Sequence, residues 1–383
     1  MACILKAPTA SSRGVVVFTT PERDMLIKED RTLQETIWAL KDTWVIGLHH
    51  NWHDYKFVYN PLFDFSMAGE DDLREVNGTV FPLIPLDACN FAPECFRPSG
   101  GEKFWDILYV ARAVLFKRIP EFFQSIRSLY DRGHQCRVLF VCPLPPYDRK
   151  EKGTVLYNIR EVYDGMFSEE EKDRFTLLTL DYRYPFPFDL PTLAHFYRSS
   201  RIFVHSADEE KRCRVAAYAW ASGIPVVGMS CVGSMLPQHL RTTPFFYEAA
   251  AYSEFPEKMV SALSEHQHGT IDFEKVREHC SVAHTKSALV THLDRLFGRN
   301  GQWFDAADLA CHNLDTRLGR HHGIGSGPNT ISTPLPELVQ ALLNQQGLVH
   351  DVLKQGDPER ELERLWPEKP KALFFDRIFG HGS

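Results

Sequence analysis

The 383-residue chain has no apolar run long enough to cross a bilayer. Its smoothest stretch, from Val215 to Met229, is interrupted by Ser222, Gly223 and Pro225. The opening residues, MACILKAPTASSRG, lack the apolar segment of a secretory signal. An excess of positive charge is also missing. Lys and Arg number 43 against 50 Asp and Glu, a formal charge of −7, whereas a dedicated duplex-binding protein would carry a basic domain or stripe. The cysteines, nine from Cys3 to Cys311, contain no CxxC pair. Their odd number and scatter argue against a disulfide framework or a zinc knuckle and for buried free thiols in a reducing compartment. No repeat of solenoid period is present. A cytoplasmic protein is the expectation, with peripheral membrane contact as the alternative.

What is present is an ordinary globular balance, 44% hydrophobic and 24% charged, in a length that predicts two domains. Strands are expected at 14–18, 44–48 and 80–84 and a helix near 32–40, while Asn-, Asp- and Gly-rich sequence fills much of 60–78. The PSGG stretch from Pro98 to Gly101 reads as the linker. Beyond it the alternation becomes regular, with strands at 107–110, 137–142, 175–180, 201–205 and 224–229. Helices are expected at 120–132, where Phe122, Phe123, Ile126, Leu129 and Tyr130 recur at helical spacing, and at 211–221, ended by Gly223. Strands rich in Val, Ile and Leu that alternate with helices predict a parallel, doubly wound sheet covered on both faces. Such sheets bind ligands outside the carboxyl ends of their strands. Residues 254–297 read as helical, 317–333 as irregular, and 336–354 as a last amphipathic helix.

Three pieces of the middle region carry the chemistry. In VARAVLFKR, Val110 to Arg118, Arg112 and Lys117 stand five residues apart where the first strand turns toward its helix. A guanidinium and an ammonium converging there suit a diphosphate; two solvated cations are the plainer alternative. In SADEE, Ser206 to Glu210, Ser or Asp can cap the following helix, whose positive end also attracts anions. Ordinary capping explains that pattern equally well. In VAAYAWASGIPVV, Val215 to Val227, small residues let the helix lie close on the sheet; this piece speaks of fold rather than activity. His312, His321, His322 and Asp315 match no recognised metal-ligand spacing, and no metal is expected there.

In order and spacing these pieces resemble the C-terminal domain of GT-B glycosyltransferases, nearest the retaining family 4 enzymes. The family's VGR-L-x-x-x-KG turn is similar to Val110-Ala111-Arg112 through Lys117-Arg118. Its LY-x-x-A-x-v-f-v-x-p-S stretch is similar to Leu193 through Ser206, and its EA-M-A-x-G-x-PVV module to Tyr218 through Val227. Ile84-Pro85 through Pro93 resembles the family's bridge between domains. The likeness spans roughly residues 80–235. The family's paired glutamates, eight residues apart, fall on Glu210 and Tyr218, so the second carboxylate is missing. Its Phe-Gly after the first glutamate is Lys211-Arg212, and its later Gly-Gly turn is Gly233-Ser234 without the trailing acid.

The resemblance implies an α/β fold of GT-B type: two Rossmann-like doubly wound domains, the N-terminal one reduced, plus a mainly helical C-terminal region. It divides the chain into an acceptor-side domain at 1–97 and a nucleotide-sugar-binding domain at 102–300. A helical extension at 301–383 would pack back on the first domain. It implies transfer of a sugar from a nucleoside-diphosphate sugar to an acceptor hydroxyl, with retention and without metal or other cofactor. Arg112, Lys117, Ser206, Tyr218, Lys211, Gly233 and Ser234 would bind substrate. Glu210 would orient the sugar, and His50, at the end of an N-terminal strand beside His49, would face it. Front-face attack in this family predicts no covalent enzyme nucleophile. The acceptor stays open among a glycan, a lipid carrier, a protein and a nucleic-acid base. The alternatives are a non-catalytic scaffold that binds a sugar nucleotide or glycan, and another GT-B activity such as an epimerase or a phosphorylase.

Overall fold

The computed structural model describes residues 3–6, 8–19, 31–49, 60–67, 73–76, 79–84, 92–143, 155–180, 190–210, 213–268 and 271–298, with 339–340 and 342–343. Two six-stranded sheets organise them. The first contains β1 (Cys3–Lys6), β2 (Gly14–Thr19), β3 (Trp44–His49), β4 (Phe65–Met67), β5 (Leu73–Val76) and β6 (Thr79–Ile84). In spatial order β1-β2-β3-β4-β6-β5, its four inner strands run parallel and its two edges antiparallel. Helix α1 (Arg31–Leu40) is placed in sequence between β2 and β3. β3 is buried along its whole length, as a run without alternation requires. The interval 60–78, for which no strand was expected, supplies β4 and β5. Three residues in β4 are too few for periodicity to register, although Phe65 and Met67 are fully buried.

The second sheet is entirely parallel. β7 (Trp105–Val110), β8 (Val138–Pro143), β9 (Phe175–Leu180), β10 (Ser200–His205), β11 (Val226–Met229) and β12 (Phe246–Ala249) lie in the order β12-β11-β10-β7-β8-β9. The strand order reverses between β7 and β10, the switch point at which doubly wound sheets open a crevice. Side chains alternate between two cores. Ile107, Tyr109, Val138, Phe140, Ile202 and Val204 face the first, with Phe122, Phe123 and Ile126 of helix α2 (Ile119–Asp131). Leu108, Val110, Leu139, Val141 and Phe203 face the second. Helix α3 (Val155–Met166), the short α4 (Glu169–Lys172) and strand β12 have no counterpart in the sequence reading.

The second core receives helices α5 (Leu190–Arg198) and α6 (Arg214–Ala221). α6 ends as its sequence demands. Gly223 adopts φ +73, its N–H donates to Trp220 O at 3.0 Å, and Ile224 N–H donates to Ala219 O at 3.1 Å. That is the paired closure of a Schellman cap, which needs a left-handed residue. The exposed PSGG stretch has no regular structure, but the residues before it are anchored. Phe96 is fully buried and stacks on Tyr218 with centroids 4.0 Å apart.

Helices α7 (Phe255–His268), α8 (Glu274–His279) and α9 (Val282–Leu293) follow the second sheet in sequence. Leu289 and Leu293 of α9, with Phe297, pack into one cluster with Leu5, Val15, Val45 and Phe65 of the first sheet. α9 and its continuation thus return to the first sheet. The expected extension at 301–383 lies outside the described residues except at four helical positions, of which Leu342 accepts a hydrogen bond from the Trp44 indole at 3.2 Å.

Candidate functional site

β7 ends at Val110, and the chain passes through one 3₁₀ turn, Leu115–Lys117, before α2 begins with Pro120 in its first turn. This connection lies at the carboxyl edge of β7, beside the loop that leaves β10. The two loops are laced together through backbone carbonyls. The Tyr109 hydroxyl donates to Lys117 O at 2.8 Å. Ser206 Oγ lies 2.8 Å from Lys117 O and 2.9 Å from Arg118 O. Asp208 N–H donates to Phe116 O at 3.2 Å. Arg118 adds an ion pair with Asp208.

Arg118 stands where the resembled turn has glycine, and it adopts the left-handed φ of +49, the sole non-glycine positive φ among the described residues. For a side chain with a Cβ this conformation is unfavourable by roughly 1 kcal/mol or more. Comparing two substitutions isolates the strain, because both delete the ion pair. Arg118→Gly is expected to be more stable than Arg118→Ala by about 1 kcal/mol in urea unfolding. Equal midpoints would show that the turn carries no such strain.

Lys117 reaches inward to a buried cluster. Its ammonium pairs with Glu210 and lies 3.1 Å from Nε2 of His205; Glu210 Oε2 is 3.5 Å from that same nitrogen. The Lys117 and Glu210 side chains are 12% and 8% exposed and His205 is fully buried, so their interactions are little screened by water. Burial works against the Glu210 carboxylate, but chiefly the Lys117 charge outweighs it and holds the carboxyl at about 2. Burial and the adjacent ammonium push His205 down to about 4, so the imidazole is neutral near pH 7. Cys213 brings a third donor atom, within 4.8 Å of those of His205 and Glu210. A borderline metal could use such a trio, yet two of its members already hold an ammonium. The arrangement is a cation seat filled by the protein's own lysine.

Of the sequence-predicted residues, the structure brings Lys117, Glu210 and Ser206 together. Arg112, half-buried, begins the same connection, and its carbonyl accepts from Val114 N–H at 2.9 Å. Ser206 is not the helix cap that was expected. α6 begins at Arg214 with Cys213 in the N-cap position and no side-chain cap, while the Ser206 hydroxyl is buried against the 117–118 carbonyls. Tyr218 is 3% exposed, with its ring stacked on Phe96 and edge-on to Tyr197, so that face has a protein partner rather than an open one. Gly233 is buried in a 3₁₀ turn, where an added Cβ would fall 2.6 Å from the Phe246 ring. Ser234 is exposed and donates to Cys231 O at 2.7 Å. Lys211 and His50 lie outside the described residues.

Sequence reasoning missed His205 and Tyr109. The available signal was His205 itself, an imidazole at the place where the resembled stretch writes proline. A cleft of about 540 Å³ opens at the same edge, lined by Phe116, Arg118, Glu121, Asn158, Asp208 and Glu209 among others.

No protein-family model and no curated protein sequence matches the chain. Among solved structures it is similar to the GtfA/B complex, at 13% identity and a TM-score of 0.45 over 68% of this chain and 54% of that one. It is similar to TarM at 12% identity and a TM-score of 0.48, over 74% and 54%. A glycosyltransferase from Rickettsia africae shares 11% identity at a TM-score of 0.47, over 72% and 84%. The chain spans about half the length of the first two.

Proposed function

We propose that the chain is a glycosyltransferase that moves a sugar from a nucleoside-diphosphate donor to an acceptor hydroxyl, with retention and without a metal. The observation that carries this reading is the seating of Lys117 against Glu210 at the carboxyl edge of β7 and β10, where the sheet's strand order reverses. Breaking a glycosidic bond to a diphosphate leaves negative charge on the leaving group and positive charge on the sugar carbon. A fixed ammonium answers the first, and a carboxylate held ionised answers the second. Two of the three N–H bonds of Lys117 point to Glu210 and His205; the third is the donor for a phosphate oxygen. Arg112, at the start of the same connection, supplies the forked partner. The donor is a nucleoside-diphosphate sugar, and the acceptor is a glycan, lipid carrier, protein or nucleic-acid base. Among the described residues no helix is long and apolar enough to cross a membrane.

The experiment is incubation with UDP-, GDP-, ADP- and dTDP-linked sugars, with assay of released nucleoside diphosphate. Release by the parent protein is expected, with Glu210→Gln reduced by about 10²–10³, the usual effect of losing one preorganised electrostatic group. Turnover unchanged by that substitution would refute the assignment. A second reading, a scaffold that binds a sugar nucleotide without turnover, is favoured by one observation: the Tyr218 ring is committed to the core where the resembled family has a carboxylate. Binding without release would select it.

A further inference from the structure

We infer that His205 is a positioning residue for Lys117, a neutral acceptor that, together with Glu210, aims the third ammonium N–H at the ligand. The inference rests on the diphosphate reading of the site. A lysine ammonium only donates, so a hydrogen bond across the 3.1 Å between Lys117 Nζ and His205 Nε2 requires Nε2 to accept. The ring proton is then on Nδ1, which is buried with no hydrogen-bond partner among the described residues. A proton on Nε2 would have Glu210 Oε2, at the longer distance of 3.5 Å, as its acceptor and would face the Lys117 ammonium at 3.1 Å. Leaving Nδ1–H unpaired is unfavourable, which makes the acceptor role of Nε2 the feature the packing preserves.

The ring has little freedom to turn. It lies against Tyr109 and Phe203, with centroids 5.5 and 5.9 Å away, at the end of the central strand β10. Tyr109 also holds the Lys117 carbonyl. One aromatic stack thus fixes both the backbone of Lys117 and the group that receives its side chain. The choice of imidazole has an electrostatic consequence. A second carboxylate here would give the cluster a net negative charge and repel a diphosphate; a neutral ring directs the ammonium and leaves the Lys117–Glu210 pair balanced.

The test uses inorganic pyrophosphate as the probe, with binding followed by calorimetry, and ¹⁵N spectra of the histidine ring. The parent is expected to bind pyrophosphate and to show His205 protonated at Nδ1. His205→Phe, which keeps the ring and removes the acceptor, is expected to bind at least about tenfold more weakly, the loss of one hydrogen bond to a charged group. His205→Gln, which returns an acceptor near the Nε2 position, is expected to recover most of that loss. Lys117→Met is expected to shift the His205 proton from Nδ1 toward Nε2. A ring protonated at Nε2 in the parent, or equal binding by the parent and a folded His205→Phe, overturns the inference. In that second case, loss of binding in Lys117→Ala would leave the diphosphate reading standing. Failure of the parent to bind pyrophosphate would overturn both.

Discussion

Lys117→Ala is expected to destabilise the protein by about 3–5 kcal/mol, the usual consequence of removing one partner of a buried ion pair, and to abolish nucleotide release. The magnitude follows from the seat. Glu210 is 8% exposed at its side chain, and without the ammonium its carboxylate faces only a neutral imidazole. It must then stay charged in an apolar setting or take up a proton. The stability loss and the activity loss can be separated. Replacing the pair by apolar groups of similar volume, Lys117→Met with Glu210→Leu, is expected to recover most of the lost stability, since buried pairs contribute little over a packed hydrophobic contact. The double variant should remain inactive. Urea unfolding of the two proteins, beside an assay for free nucleoside diphosphate, makes the comparison. A single variant as stable as its parent would show that Glu210 is not held in a buried pair.

Acid is expected to unfold the protein in two overlapping stages, both set by this cluster. In the unfolded chain His205 takes its proton at the ordinary 6.5, but in the folded protein burial and Lys117 delay that to about 4. Between those values the unfolded state binds more protons, so stability falls as the pH falls. Glu210 behaves likewise lower down, between the ordinary 4.5 and about 2. Each group contributes on the order of a few kcal/mol, fully present above its unfolded value and lost below its folded one. Unfolding midpoints measured from pH 7 to pH 4 should therefore decline less steeply in His205→Phe than in the parent. The other histidines contribute equally to both proteins and cancel in the difference. Parallel slopes would mean that His205 titrates normally and is not seated as described.

Much of the second sheet was legible because its strands are long, apolar and punctuated. VLFVC, preceded by the turn at Gly133 and followed by a proline-rich stretch, reads as a strand, and the helix over 120–132 declares itself by apolar spacing, a proline at its start and Gly133 after it. The first sheet was legible only in part. β4 has three residues, and β5 with LREV lacks the apolar pattern of a buried strand. Lys117 could be nominated from its spacing to Arg112 and Glu210 from the family resemblance, but their mutual contact could not, since 92 residues lie between them and only the parallel pairing of β7 with β10 brings their loops together. His205 was hidden for the same reason. In the sequence it is a polar residue closing a strand, and its use depends on a lysine from another loop. Tyr218, aligned by the family resemblance with a ligand-binding glutamate, has its ring stacked on Phe96, 122 residues earlier, a contact its local sequence could not announce.

The most direct test of the central claim is a crystal structure of the protein soaked with a nucleoside diphosphate. The account predicts phosphate oxygens within hydrogen-bonding distance of the Lys117 ammonium, with Glu210 and His205 still holding its other two N–H bonds. A diphosphate bound elsewhere, with the Lys117 ammonium making no contact to it, would contradict the account.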